Sequence, residues 1–154
     1  MILAGFAAFA TVTIFTGTVE AQGRARGKFY TKAQVEAVIR RVEERTDNFV
    51  SNFDESLDNS GLDGTEREDR LMDRARDLER ATDELRREFD RRDRWIENRP
   101  EVRKCINIAS DIDRTMKNRR LGPVTEANWT KLKYELNTLA KIYELPKVGS
   151  GSYR

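Results

Sequence analysis

Apolar residues recur at intervals of three and four in four separate stretches between residues 30 and 145. This spacing places them along one face of an α-helix, whereas a half-buried strand would alternate apolar and polar residues with a period of two. Polar and charged residues fill most of the remaining positions. We therefore predict an all-α fold for residues 30–145, an antiparallel four-helix bundle with two long helices and two shorter ones.

The first two predicted helices are the long ones. Thr31 precedes the first helix and can form a capping box with Gln34, and Thr65 stands in the same relation to Glu68 before the second. A turn-forming segment rich in Asn, Gly and Asp separates the two helices. The predicted apolar stripes contain Val35, Val38, Ile39, Val42, Thr46, Phe49, Val50, Phe53 and Leu57 in the first helix, and Leu71, Ala75, Leu78, Thr82, Leu85 and Phe89 in the second.

Proline and glycine delimit the two shorter helices. Pro100 is expected in the first turn of the third helix, and Thr125 is predicted to cap the fourth. Trp95 and Ile96 are predicted to extend the second helix. The stripes contain Val102, Cys105, Ile106, Ala109, Ile112 and Met116 in the third helix, and Trp129, Leu132, Leu136, Leu139, Ala140 and Tyr143 in the fourth.

The difference in helix length predicts an overhang. The long helices should measure about 42 Å and the short ones about 30 Å, at 1.5 Å per residue. We expect apolar residues near Phe49, Phe53, Leu78 or Leu85 to be partly uncovered and to offer a site for a partner. After Pro146, the Gly- and Ser-rich segment 146–154 is predicted to be a flexible tail.

The N-terminal segment suggests the compartment. Residues 2–19 carry no charge and are rich in Ala, Ile and Phe, and a small-residue cleavage pattern follows them. We predict a signal peptide over residues 1–21, a basic linker over 22–29 and export to the periplasm or the cell exterior. No basic residue precedes the apolar run. A membrane anchor is therefore the alternative, and a buried N-terminal helix is a third.

Composition argues against several functional classes. The 29 Lys and Arg residues and the 27 Asp and Glu residues are interspersed, without the one-sided basic surface of a nucleic-acid-binding protein. The chain contains no histidine, the commonest general base and metal ligand. Its single cysteine, Cys105, cannot form an internal disulfide and is predicted as a small core residue. We predict no nucleic-acid partner and no cofactor.

One turn weakly resembles a calcium-binding loop. If Gly64 is aligned with the invariant loop glycine, Asn59, Gly61 and Asp63 fall on the first three ligand positions. Arg70 then falls where a bidentate glutamate is required. We interpret the segment as a capped turn, and we predict no metal-binding residue.

Few carboxylates are placed for catalysis. Asp47, Asp83 and Asp113 flank the apolar stripes and are the acidic residues to examine for burial, while most others alternate with arginine on outward faces. No loop long enough to form a pocket separates the helices, so we predict no catalytic residue. We interpret the densest basic cluster as a solvated helix end; it contains Arg91, Arg92, Arg94, Arg99, Arg103 and Lys104.

The chain contains the motifs Thr46-Asp47-x-Phe49, Leu62-Asp63-Gly64-Thr65, Ala81-Thr82-Asp83-x-Leu85 and Leu136-Asn137-x-Leu139-Ala140. These motifs resemble those of a group of small uncharacterised bacterial proteins. The resemblance covers about residues 30–143, and it is with exported helical proteins of acidobacterial type that have no assigned activity. It implies export and a helical fold, and it transfers no functional residue.

These observations favour a non-enzymatic, exported helical bundle that serves as a structural or protein-interaction component of the cell envelope. Its expected contact is a protein partner or a second copy, with membrane contact only if the N-terminal segment is retained. Two alternatives stay open. One is a membrane-anchored subunit held by residues 2–19 in a larger complex, and the other is a metal-binding protein or enzyme whose site forms only on oligomerisation.

Overall fold

The structure, a computed structural model, describes residues 23–25, 28–60, 62–118 and 121–150 of the 154 residues. The signal peptide or membrane anchor predicted for residues 1–21 lies outside the described residues. In the described part, four α-helices follow a short two-stranded ribbon. The elements are β1 (Gly23–Ala25), β2 (Lys28–Tyr30), α1 (Lys32–Asp58), α2 (Glu66–Arg91), a 3₁₀ helix (Trp95–Asn98), α3 (Arg99–Asn118) and α4 (Pro123–Ile142).

The four helices form the predicted antiparallel bundle. Helix α1 packs against α2 and α4, and α3 packs against the same two neighbours, so the helices close a ring around one core. Helices α1 and α2 run in opposite directions, since Glu36 near the start of α1 pairs with Arg86 whereas Asp54 near its end lies beside Arg76. The prediction of an all-α four-helix fold is confirmed. None of the helices in the described residues combines the length and apolarity needed to cross a membrane.

The predicted apolar stripes form the core. Every residue assigned to a stripe is buried, except Leu71, which is half-buried. The core is larger than the stripes, because elements outside the regular pattern also contribute to it. The further buried apolar residues are Met72, Ala81, Trp95, Leu121, Ile142, Leu145 and Val148.

The two predicted helix caps differ in detail. At the start of α1, the Thr31 hydroxyl accepts the backbone N–H of Gln34 and the Gln34 side chain accepts that of Thr31, so the capping box is confirmed. At the start of α2, the Thr65 hydroxyl accepts the N–H of Glu68. The Glu68 carboxylate, however, accepts the N–H of Gly64 at 2.7 Å rather than that of Thr65.

The prediction that Thr125 caps α4 is wrong. The helix begins at Pro123 with Gly122 as its N-cap, because proline has a fixed φ and no N–H to satisfy and therefore suits the first turn. Gly122 has a φ of 92°, a conformation that favours glycine. Thr125 is instead fully buried, and its hydroxyl donates to the backbone carbonyl of Asn52 on α1 at 3.0 Å.

The prediction that Trp95 extends α2 is also wrong. Helix α2 ends at Arg91, and Lys32 of α1 donates to the carbonyl of Arg92 at 2.7 Å just beyond this end. Trp95 belongs to the 3₁₀ helix and is buried against Tyr143, with ring centroids 5.3 Å apart. Its indole N–H donates to the carbonyl of Tyr30, which ties the ribbon to the bundle.

The expected overhang is not found. Phe49, Phe53, Leu78 and Leu85 are all fully buried, so the prediction of an uncovered apolar patch near them is wrong. The 3₁₀ helix adds length to the second helical hairpin, and Trp129 of α4 packs on Phe49 with ring centroids 5.1 Å apart. The two hairpins therefore cover each other along the core.

The segments on either side of the four helices, the predicted basic linker and the predicted flexible tail, also form defined contacts. In the segment 22–29, residues of β1 pair antiparallel with β2, with Gly23 opposite Tyr30. In the segment 146–154, residues 146–150 do not form the loose tail that the sequence predicts. Val148 is buried, because burial removes its apolar side chain from water. Its backbone N–H donates to the Asn137 side chain on α4.

Candidate interaction surface on the fourth helix

Helix α4 carries a second row of residues on its outer side, away from the core. The members are spaced alternately by three and four, the repeat by which one helix packs along another. Five of the six are exposed and one is half-buried. This α4 outer stripe consists of Val124, Ala127, Lys131, Tyr134, Thr138 and Lys141.

Large apolar side chains are exposed on this stripe. Val124 is 61% exposed and Tyr134 is 70% exposed. In the described part of the chain, Phe29 is the one other large hydrophobic residue that is similarly exposed. Single exposed apolar residues are ordinary, but two in one row on a single helix face mark a candidate contact surface.

The charges of the α4 outer stripe are of one sign. Lys131 and Lys141 are exposed, and among the described residues neither forms an ion pair. The stripe contains no carboxylate to offset them. It therefore combines an exposed aromatic ring with two cations that remain available to an external anion.

A buried carboxylate fixes two further cations on the α3 side of α4. Asp113 is only 2% exposed, and its Oδ1 accepts Lys133 Nζ at 2.6 Å and the Trp129 indole N–H at 3.2 Å. Lys117 Nζ lies 2.8 Å from Oδ2. Burial raises the pKa of Asp113, but these two ammonium groups and the indole N–H outweigh it, so the pKa lies below its usual value. Of the three aspartates that flank the apolar stripes, Asp113 is the buried one.

A second buried carboxylate does the same on the α1 side. Glu135 is 5% exposed, and its carboxylate lies 3.1 Å from Arg41 Nε and 3.6 Å from Arg45 Nε. The sequence pattern does not single out this residue, because it is charged, although Glu135 follows the core residue Leu132 by three positions and so lies toward the core side of α4. The α4 outer stripe therefore lies between two pairs of cations, each pair held by a buried acid.

An open groove of about 720 Å³ lies between α3 and α4. The sequence predicts no pocket, because it reveals no long loop, but a groove between helices needs none. Asp113, Lys117 and Lys133 lie along it, together with Trp129 and Met116. Glu126 and Thr130 of α4 also line the groove and lie next to the α4 outer stripe along the chain, but no residue of the stripe itself lines it.

Carboxylates also gather on the outer side of the α1–α2 pair. The pKa of Asp47 is raised by partial burial and by the nearby charge of Asp83. Burial and neighbouring carboxylates also raise the pKa values of Glu43 and Glu79. Asp47 is nonetheless exposed and Asp83 is half-buried, so neither shares the burial of Asp113. The cluster is a solvated surface on which neighbouring carboxylates repel one another.

The turn that resembles a calcium loop brings three acids together. Single oxygens of Asp58, Asp63 and Glu68 lie within 4.8 Å of one another. Asp58 and Asp63 are exposed, and Glu68 is occupied by the backbone N–H of Gly64. Helix capping accounts for the position of Glu68, and the predicted lack of a metal site stays a prediction.

The remaining candidates are held in structural contacts. Cys105 is fully buried, and burial raises the pKa of its thiol to about 12, which makes the reactive thiolate rare at neutral pH. In the basic cluster, Arg92 pairs with Glu88 and Glu101, and Lys104 pairs with Glu84. These pairs balance much of the charge that the sequence places there.

Comparison with models of known protein families, with curated proteins and with solved structures finds no match for this chain. The resemblance to exported bacterial helical proteins thus stays a prediction.

Proposed function

We propose that this chain is a non-enzymatic helical-bundle protein of the cell envelope that acts by binding another protein through the outer side of α4. One observation carries the proposal. On the α4 outer stripe, Tyr134 is exposed between Lys131 and Lys141, which have no ion-pair partner in the described residues.

The chemistry of the stripe suits a protein contact. Tyrosine supplies a large, rigid contact area with few rotatable bonds, and it is enriched among the residues that dominate binding energy. Helix α4 has 20 residues and is about 30 Å long, which is enough to support an interface of ordinary size.

The cations beside the stripe are already positioned. Asp113 holds Lys117 and Lys133, and Glu135 holds Arg41 and Arg45. A partner that met these side chains would order few new rotamers, which reduces the entropy lost on binding. This arrangement supports a binding role better than a catalytic one, because both carboxylates are engaged by cations and lie beneath the surface.

The proposed location rests on the sequence. Residues 2–19 are apolar and uncharged, as in a signal peptide, and the basic residues that follow are compatible with an anchor instead. In either case the bundle would present the same face of α4. The intact mass of the protein from its native source distinguishes the two, because cleavage removes about 21 residues.

Site-specific photo-crosslinking in the native cell tests the binding role. A photoreactive phenylalanine analogue replaces Tyr134 in one variant and Arg80 in the control, since Arg80 lies on α2 with a comparably exposed side chain. We expect a discrete protein adduct from position 134 and none of that mass from position 80. Equal adducts from both positions, or none from position 134, would count against the proposal.

A further inference from the structure

We infer that the partner presents an acidic amphipathic helix, which lies along the α4 outer stripe. The inference rests on the proposed function and specifies the kind of partner. It follows from the shape of the stripe, from its charge and from the poor match of a second copy of the chain.

The shape of the stripe favours a helix as the occupant. Alternating spacings of three and four keep the side chains in a straight row facing one partner helix. Ala127 and Thr138 are small, and they lie seven and four positions from Tyr134. A helix can therefore approach closely at these positions, with the tyrosine ring packed between its side chains.

The charge of the stripe favours an acidic occupant. Lys131 and Lys141 are ten residues apart, about 15 Å along the helix, so they would meet carboxylates separated by about three turns. The flanking pair Arg41 and Arg45 lies on the α1 side. Lys117 and Lys133 lie on the α3 side. Carboxylates at the flanks of a partner helix would face cations on both sides.

A second copy is a poor occupant. If two α4 helices packed in parallel, Lys131 of one would face Lys131 of the other. In the antiparallel arrangement that overlaps the whole stripe, Lys131 would face Tyr134 and Lys141 would face Val124, so none of the four lysines would meet a carboxylate. The parallel arrangement brings like charges together, and the antiparallel one leaves every lysine of the stripe without an anionic partner, so a second copy fits less well than an acidic helix.

The probe is a synthetic helical peptide of about three heptads, with Leu and Ala on its packing face and Glu at both flanking positions. Repulsion between its own glutamates keeps it from pairing with itself. A matched peptide carries Lys in place of Glu. Binding of each labelled peptide to the purified full chain is followed by fluorescence anisotropy at low and at moderate salt.

We expect the Glu peptide to bind and the Lys peptide not to bind. The double variant K131E/K141E should weaken binding of the Glu peptide at least about tenfold, and added salt should weaken it as well. The control variant R80E/R87E reverses two charges on α2 and should bind the Glu peptide as the unmodified chain does, because α2 lies across the core from α4.

Other outcomes overturn the inference. They are the lack of Glu-peptide binding, equal binding of both peptides, and binding that K131E/K141E leaves unchanged. Concentration-dependent self-association that this double variant abolishes would identify a second copy as the occupant. Binding to vesicles containing anionic lipid, without peptide binding, would identify a membrane surface. A specific protein adduct at position 134 without peptide binding would leave the proposed function standing and reject only the acidic helix.

Discussion

The outer faces of α2 and α4 are both polar, but they differ in how their charges are balanced. Six of the eight arginines of α2 form ion pairs with nearby carboxylates. On α4, the exposed Lys131 and Lys141 form none among the described residues, and Tyr134 lies between them. The carboxylates that pair with the cations beside the α4 outer stripe, Asp113 on α3 and Glu135 on α4, are both buried.

This contrast distinguishes a surface whose charges are paired within the chain from one whose charges can pair with a partner. Exposed ion pairs contribute little stability, about 0–1 kcal/mol each, so their abundance on α2 chiefly keeps the surface soluble and neutral. The four cations beside the α4 outer stripe are instead paired with two buried carboxylates, Asp113 and Glu135. The comparison can be tested by substituting the buried carboxylate Asp113, the segment 146–150 that contacts it, and the exposed charged residues in turn.

Removal of the buried carboxylate of Asp113 should lower the free energy of unfolding more than any other change. Asp113→Asn leaves Lys117 and Lys133 without their carboxylate, and the loss of hydrogen bonds to a charged group destabilises a protein by about 2–3 kcal/mol. Urea denaturation measures the change in the free energy of unfolding. The control Asp111→Asn removes an exposed partner of Arg74 and should change stability by less than about 1 kcal/mol. Equal losses of stability in the two variants would mean that the pairing of Asp113 with Lys117 and Lys133 contributes no more than an exposed ion pair.

The same carboxylate predicts a pH dependence. The pKa of Asp113 is lowered in the folded protein, so its contribution is present above the unfolded value and is lost as pH falls through the folded pKa. The stability difference between the unmodified chain and Asp113→Asn should therefore shrink on acidification. A difference that is constant from pH 7 to pH 3 would contradict this assignment.

The segment after α4 should be the next most sensitive. Gly149 has a φ of 74°, and a Cβ there would collide with Asp113 Oδ2. Gly64 has a φ of 70° but open space around it. Gly64→Ala should cost about 1 kcal/mol from backbone strain alone. Gly149→Ala should cost about 1 kcal/mol more, because the neighbouring carboxylate must move. Equal losses in thermal melts would show that residues 146–150 do not close over Asp113.

Relief of like-charge crowding beside α2 should have a smaller and opposite effect. Burial and the charge of Asp83 raise the pKa of Asp47, so the ionised form is disfavoured in the folded state and stability falls as pH rises through that pKa. Asp47→Asn should raise the melting temperature by about 1–2 °C at pH 7, and the gain should disappear near pH 4. Asp54→Asn, at an exposed site beside Arg76, should give no such gain. A gain that persists at pH 4 would rule out charge repulsion as its cause.

Reversal of exposed charges should change stability least. K131E/K141E should alter the free energy of unfolding by less than about 0.5 kcal/mol, because neither lysine has a partner to lose. R80E should be somewhat more destabilising, since it places a carboxylate beside Asp77 in place of an ion pair. Chemical denaturation of the two variants compares them. A larger loss for the α4 variant would reveal structural contacts for these lysines.

The sequence predicts the core of this bundle well, because four apolar stripes require four helices lying side by side. Residues such as Val42, Leu78, Ile112 and Leu136 are buried as their spacing indicates. The sequence also identifies Asp113 by its position beside a stripe. Turns are less predictable, since the start of α4 depends on Gly122 and Pro123 rather than on the better capping residue two positions later.

The candidate surface is harder to predict for a physical reason. Helix α4 has two rows of regularly spaced residues, and the periodicity of the inner row conceals that of the outer row. Glu135 is buried because Arg41 and Arg45 reach it from another helix, a contact that local spacing does not contain. Val148 similarly enters the core from a segment with no periodic pattern.

Lysine footprinting in intact source cells tests most directly whether the outer face of α4 is covered by a partner. An amine-reactive reagent is applied to the cells and to the purified protein, and the labelling of each lysine is compared by mass spectrometry. Lys104 is the reference, because it is exposed on α3 and pairs with Glu84. The account predicts that Lys131 and Lys141 are several-fold less reactive in cells, while Lys104 is unchanged. Equal reactivity of all three lysines in both samples would contradict it.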